Sequence, residues 1–439
     1  MTYKNLTALV LLLIAASTPA AADSTPQPMT LAQCVETALE HHPDLAAALA
    51  MIDEAQAQLK IAHSAFLPQI NLGSFYTRQT FNYSGQPGTP PDLWQRFYQG
   101  ESNSTSPYYY GGINLSQDIF DFGRKRGTID RSMAELRAAG HNYQNVKNQI
   151  YYNVRAAYYT ELADRELVNV EQQGLDNAAQ HLQQAEAFYQ VGRDPKINVT
   201  QEQVAVANAK LALEQAQANL DVAHAGLATA MGIPIEQAPE PVDTLAQIEP
   251  AGTLDELLVQ AVEKRPDLQS LREQVTAAQA DVEYAHANLK PALNLSMFYN
   301  FNNLQFPLIY NWSLAGLFAQ SLFSGGERHA ALRQSEAERR VSQAQHASLF
   351  LRVRQGVYSA YSNVRVAQDQ INTALTAASE AKENLQLAEG RYQVGYGNII
   401  ELTDAQLLAT RTATQVVTTR FSYQSASAQL DFVVGKGPQ

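Results

Sequence analysis

Glu401 and Asp404 are the residues whose type and spacing could do chemistry. They follow Gly395 and Gly397, where helix-forming sequence must stop and reverse. If a helix restarts near Asn398, the two carboxylates share one of its faces. Acids at the start of a helix are also what a solvated helix start favours. Tyr392, just before the turn, adds a phenol. The other candidates carry less. His41-His42 has neither Cys nor acids at ligand spacing, so no metal is expected. Gly325-Gly326 lacks the Lys-Ser/Thr of a phosphate loop. No Ser/His/Asp or Cys/His set stands out, so neither an enzyme nor a cofactor is expected.

The elements that must position those acids are long. From Arg124 to Tyr189 the pattern is helical and free of Pro, long enough for about 100 Å of helix. An earlier turn, Phe188-Tyr-Gln-Val-Gly192, resembles the one at Tyr392. The return helix carries Ala209, Leu213, Ala216, Leu220, Ala223, Leu227 and Ala230 at heptad spacing, which predicts an antiparallel coiled coil of closely approaching helices.

The chain is also duplicated. Leu31 to Leu45 reads LAQCVETALEHHPDL, and Leu254 to Leu268 reads LDELLVQAVEKRPDL. Pro43 and Pro68 recur 223 residues later as Pro266 and Pro291. Beyond the strands the offset becomes 203, linking Phe120 to Phe323, Gly123 to Gly326, Tyr189 to Tyr392 and Gly192 to Gly395. The heptad returns as Thr412, Val416, Thr419, Tyr423, Ala426, Leu430 and Val433. The expected domains are a signal peptide over 1–22, a first repeat over 23–231, a Pro-rich linker over 232–253 and a second repeat over 254–439. The helical hairpins fall at 124–231 and 327–435.

Between helices the period changes to two. Strands are predicted near 68–76, 108–120, 291–301 and 309–320. In the second repeat Leu293, Leu295, Met297, Tyr299 and Phe301 share one face, as do Tyr310, Trp312, Leu314, Gly316 and Phe318. The opposite faces carry Asn294, Ser296, Asn300, Asn311, Ser313 and Ala315. An apolar aromatic face backed by a polar one suits a membrane barrel, or the half-buried sheet of a soluble domain. A membrane barrel needs at least about eight strands, and one chain offers four. Several chains must therefore share it, and a conducting lumen favours three or more. Helices flank both ends of each strand pair, so all helices lie on one side of the membrane. The loops at 78–107 and 302–308 lie on the other.

Composition narrows the class. A net charge of −12 excludes the basic footprint of a nucleic-acid binder. Lys4, the apolar run Leu6 to Ala16 and Ala20-Ala21-Ala22 predict a cleaved secretory signal. Cleavage would leave Asp23 rather than a lipid-accepting cysteine, and the single Cys34 permits no intrachain disulfide.

In this order of motifs the chain resembles the TolC family of outer-membrane efflux proteins. The resemblance rests on Ala38 to Leu45 and Ala261 to Leu268, the strand starts at Pro68 and Pro291, and Tyr392 to Gln406. It implies an α+β membrane protein: a homotrimer sharing a twelve-stranded barrel, with a long α-helical coiled-coil tunnel in the periplasm of a Gram-negative-type cell. It implies an exit duct for efflux or type I secretion, opened by a periplasmic adaptor and an inner-membrane pump of RND, ABC or MFS type. Glu401, Asp404 and Tyr392 would form the periplasmic gate. Val191, Gly192, Arg193, Val394 and Gly395 would be adaptor-contact tips. Tyr299, Tyr310 and Trp312 would sit in the aromatic belt against outer-membrane lipid. Asn198 and Gly397 stand where the resemblance implies an acid and a base, and Arg193-Asp194-Pro195 stands where it implies apolar residues. The competing class is a soluble secreted coiled-coil scaffold or adaptor with the strands as a small sheet.

Overall fold

Polar caps and prolines punctuate the chain. The computed structural model describes residues 28–80, 105–242 and 252–438. The expected signal peptide, most of the loop at 78–107 and much of the Pro-rich linker lie outside the described residues. Thr30 caps helix α1 (Leu31–His41) with a reciprocal box: its hydroxyl accepts from the Gln33 amide, and Gln33 accepts from the Thr30 amide. Pro43 then opens α2 (Pro43–Ser64). Pro266 likewise separates α5 (Leu254–Lys264) from α6 (Pro266–Ala287). The long helices are α3 (Arg124–Gln190), α4 (Lys196–Met231), α7 (Glu327–Val394) and α8 (Ile399–Val434). The chain divides into two compact units, one of residues 1–46, 146–264 and 354–439, the other of 47–145 and 265–353.

The second unit holds one antiparallel sheet in the order β2–β3–β5–β6. Its strands are β2 (Gln69–Thr80), β3 (Thr105–Phe120), β5 (Ala292–Asn303) and β6 (Ile309–Ala319). The register lines up Leu72, Ile113, Tyr299 and Trp312 across all four strands, and beside them Ile70, Leu115, Met297 and Leu314. The alternate row holds Gly73, Gly112, Asn300 and Asn311. Leu72 is 82% exposed and Phe318 is 68% exposed, so the apolar face is uncovered within the chain. At the join of the two repeats a Cβ on Gly112 would stand 2.6 Å from that of Asn300, closer than side chains tolerate.

Three strands run beyond their sequence-predicted ends. β2 continues from Tyr76 to Thr80, β3 starts at Thr105 rather than 108, and β5 reaches Asn303; β6 ends one residue earlier, at Ala319. Arg78, Gln79 and Thr80 break the apolar alternation, which hides the end of β2 from a period count. Pro107 hides the start of β3. It is tolerated because pairing with β5 begins only at Tyr109, leaving Pro107 a single neighbour.

The first unit is helical. α1 packs on α4, and α5 on α8, so both repeats use their short helix in the same way. Leu213, Ala216, Ala223 and Leu227 of the heptad are buried, as are Thr419, Tyr423, Leu430 and Val433 of its copy. Polar clamps tie these helices. Arg155 binds Asp431 at 2.9 Å, and the buried Glu161 meets His224 Nδ1 at 3.0 Å. Burial raises the Glu161 pKa above its ordinary value. The short strands β1 (Pro28–Met29) and β4 (Glu240–Pro241) pair in parallel. Tyr158 donates to the Met29 carbonyl and Arg165 to that of Pro241, which fastens both strands to α3.

The heptad supplies a stability test. Leu227 is fully buried, so Leu227→Ala should cost about 2–5 kcal/mol. A lower thermal midpoint by circular dichroism would report it. An unchanged midpoint would show that the α4 stripe is not a packed seam.

Candidate tip gate

Both helical reversals use the same backbone geometry. Gly192 and Gly395 adopt φ of 73° and 84°, the left-handed region where a side chain is strained. The amides of Arg193 and Asp194 donate to the Phe188 carbonyl, as those of Tyr396 and Gly397 donate to Arg391. These bonds satisfy carbonyls left open at the ends of α3 and α7. The duplicated frame is alike in the two turns, but the side chains on it differ.

In the first turn the side chains reach across to the second hairpin. Arg193 Nη2 donates to the carbonyls of Tyr392 and Gln393 at 3.3 and 3.2 Å, and its guanidinium lies 4.1 Å from the Phe188 ring centre. A cation at the C-terminal end of α7 is also favoured by the helix dipole. Tyr392 Oη donates to Asp194 Oδ2 at 2.6 Å. Burial first, and Asp194 second, push the Tyr392 phenol well above its ordinary range. A raised phenol pKa contributes stability that is fully present below the unfolded value of about 10 and lost as pH rises from there through the folded value. Through the neutral range the phenol keeps its proton and remains a donor.

Tyr392 is 4% exposed and packs with Ala388, Ile399, Leu402 and Ala405, against Phe188 and Leu385. Below this cluster Glu202 is fully buried, and its Oε1 accepts from Thr403 Oγ1 at 2.8 Å. At the tip, three polar ties join the two hairpins: Arg193 to the end of α7, Asp194 to Tyr392, and Glu202 to Thr403. An acid and a base of the first turn, Asp194 and Arg193, supply two of these ties.

The sequence-predicted acids sit on the next helix. Asn398 caps α8 by accepting from the Glu401 amide at 2.8 Å. Glu401 pairs with Arg391 at 3.5 Å; Arg391 is exposed and Glu401 partly so, and within one chain such a pair contributes little. Asp404 is exposed and lines a groove of about 460 Å³ with Ile197, Thr200, Val204, Ile400 and Thr403. Val191 and Val394 are exposed at 76% and 68%, and Gly192 and Gly395 are exposed beside them. Arg193, placed among the contact tips from sequence, is also exposed, but its guanidinium is engaged by the second hairpin. In the other unit Tyr299 and Trp312 are register partners, and Tyr310 lies opposite Phe301 on the same face.

Sequence reasoning missed Asp194, Glu202 and Thr403 as partners in these ties. Asp194 and Tyr392 are 198 residues apart, beyond any local spacing rule. Glu202 did leave a signal, because stepping the heptad back seven residues from Ala209 lands on it. A charged residue in an apolar stripe marks a buried polar contact.

Comparison with known proteins places this geometry. A family model described as "Outer membrane efflux protein" matches residues 34–233 and 257–436. The chain is 26% identical over 416 residues to the pyoverdine export outer membrane protein OpmQ of Pseudomonas putida, covering 93% of this chain and 86% of that protein. It is 22% identical over 419 residues to the cation efflux system protein CusC of Escherichia coli O157:H7, covering 92% and 85%. The solved Campylobacter jejuni CmeC outer membrane channel superposes with a TM-score of 0.83 at 19% identity, covering 93% of this chain and 86% of that one. The soluble-scaffold alternative finds no support among these matches, and the relatives are outer membrane proteins rather than enzymes.

The cross-hairpin ties make a local prediction. Tyr392→Phe removes a hydrogen bond to a charged acceptor, worth about 1.5–3 kcal/mol. Amide hydrogen exchange should quicken in residues 188–199 and 391–402, about tenfold for each 1.4 kcal/mol lost. Exchange confined to its wild-type rate would show that the Tyr392–Asp194 bond does not hold the tip.

Proposed function

The chain belongs to the outer membrane efflux protein family, and on that footing we propose that it is the exit duct of a tripartite export system. Three copies share one barrel in the outer membrane and carry a helical tunnel into the periplasm. The observation that carries this reading is the sheet. It has a continuous apolar face, a polar reverse and two unpaired edge strands in each chain. Lipid tolerates no unpaired sheet edge, so the edges must meet further strands. Tyr299, Tyr310 and Trp312 then take the interfacial positions that suit rings with one polar end.

The tunnel tips are the regulated end. Exposed Val191 and Val394, with Gly192 and Gly395, offer apolar contacts for the hairpin of a periplasmic adaptor, which couples the duct to an inner-membrane pump of RND, ABC or MFS type. Arg193 holds the closed arrangement, and its release accompanies opening. Type I secretion uses the same conduit design. Around a threefold axis Glu401 and Asp404 become two stacked rings of carboxylates that concentrate cations at the narrow end. Transport through such a duct is passive; the energy comes from the partners.

Two measurements test this. The mature chain should be recovered from the membrane fraction and need detergent; recovery from the aqueous periplasmic fraction would sink the reading. In planar bilayers, Glu401→Gln with Asp404→Asn should lower cation-over-anion selectivity and weaken block by trivalent cations. Unchanged selectivity would leave those acids as ordinary solvated surface.

A further inference from the structure

The duplicated sheet specifies how one copy meets the next. The two sequence offsets hold in the hydrogen-bonded register. Gln69 opposite Ser116 in the first repeat becomes Ala292 opposite Ala319 in the second, and Tyr76 opposite Tyr109 becomes Tyr299 opposite Trp312. A side-chain bond obeys them as well. Gln117 Nε2 donates to the Phe66 carbonyl at 3.0 Å, and Gln320 Nε2 donates to the Leu289 carbonyl at 3.0 Å. β6 is therefore the counterpart of β3, and β2 the counterpart of β5.

Within the chain, β3 and β5 form the seam between repeats. Leu115 lies opposite Met297, Ile113 opposite Tyr299 and Gly111 opposite Phe301. The free edges of the sheet are β6 and β2, the same two kinds of strand. We propose that β6 of one copy pairs antiparallel with β2 of the next in the register of that internal seam: Phe318 opposite Ser74, Gly316 opposite Tyr76 and Leu314 opposite Arg78. The assignment rests on the shared-barrel reading and adds the residue-level seam.

Parity supports it. Ser74 and Tyr76 share the face of Leu72, while Phe318, Gly316 and Leu314 share the face of Trp312. The pairing keeps the apolar face continuous from copy to copy, whereas a slip of one residue would turn one strand's polar face to lipid. A slip of two would preserve parity, but would displace the attached helices by about 7 Å, more than a helical turn.

Those helices have a seam of their own. Inside the chain, α3 meets α6 where Gly127 lies against Tyr284, Ser270 Oγ donates to the Ala138 carbonyl, and Arg137 pairs with Glu273 at 2.8 Å. The offsets transfer these contacts to α7 of one copy and α2 of the next. Ala330 then faces Ile61, and Val341 lies beside Ala47. Ile61 is 70% exposed and Val341 54% exposed in the single chain, as uncovered contact residues would be. The charges do not transfer. Arg131–Asp281 becomes Gln334 with Gln58, and Glu273 becomes Ala50 opposite Arg340. The seam between copies is thus mostly neutral, while the seam within the chain is ion-paired.

Cysteine pairs in the full-length protein test the register, with the native Cys34 buried as a spectator. Ser74→Cys with Phe318→Cys should oxidise to dimer and trimer bands on non-reducing gels. Ser74→Cys with Leu314→Cys, displaced by about 13 Å along the strand, lies beyond disulfide reach and should stay monomeric. Leu115→Cys with Met297→Cys, opposed within the chain, is the control for a folded sheet and should close internally. Cross-linking of the Leu314 pair in preference to the Phe318 pair would overturn the register alone. An internal disulfide in the control, with no intermolecular product from either test pair, would overturn this register, and a monomer by light scattering in detergent would overturn the shared barrel as well.

Discussion

Backbone hydrogen bonding at a sheet edge is the constraint on which the rest of the structure depends. A four-stranded sheet in water can leave its edge groups to solvent, but in hydrocarbon each unpaired group costs several kcal/mol. The chain carries a sheet whose apolar face suits only lipid or a partner, and it cannot close that sheet alone. Oligomerisation then follows from hydrogen-bond accounting, before any contact between copies is considered. It also limits where helices can go. Each strand pair is entered from a helix and left into a helix.

The helical unit answers a different demand. Long antiparallel helices must pack closely without a globular core, and small residues in the heptad make this possible. Ala216 and Ala223 are buried beside Leu213 and Leu227, so the seam is narrow and regular. Such a seam does not by itself fix which hairpin lies against which. The polar ties do that. Arg155 with Asp431 and Glu202 with Thr403 join the first repeat to the second, and the Glu202 side chain is fully buried where it accepts.

What was legible from sequence was whatever repeats along the chain. Period-two alternation located the strands and their apolar face, and the register then placed Leu293 opposite Phe318 and Tyr299 opposite Trp312 on it. The heptad located the buried face of α4. The limits were physical. Strand ends at Arg78 to Thr80 and at Pro107 are set by what the neighbouring strand supplies, not by local pattern. The tip contacts were less legible still. Asn398 could be read as a helix start, but the partner of Tyr392 could not, because a hydrogen bond across 198 residues leaves no periodic trace.

Duplication explains why the tip can be both rigid in frame and specific in chemistry. The two turns share their backbone bonds, with Phe188 and Arg391 each accepting two amides. Asp194 and Gly397 occupy equivalent places 203 residues apart. At Gly397 a Cβ would stand 3.0 Å from the Tyr392 amide, so that turn has little room for an acid of its own. Tyr392 instead takes its acceptor from the first turn, and Arg193 supplies the cation that caps α7. One repeat presents the acid and the base, and the other presents the phenol and the last carbonyls of α7. A latch made only within one repeat would hold a hairpin to itself. Divided between two, it ties the tip across the whole chain, so whatever separates the hairpins there must break all three tip ties.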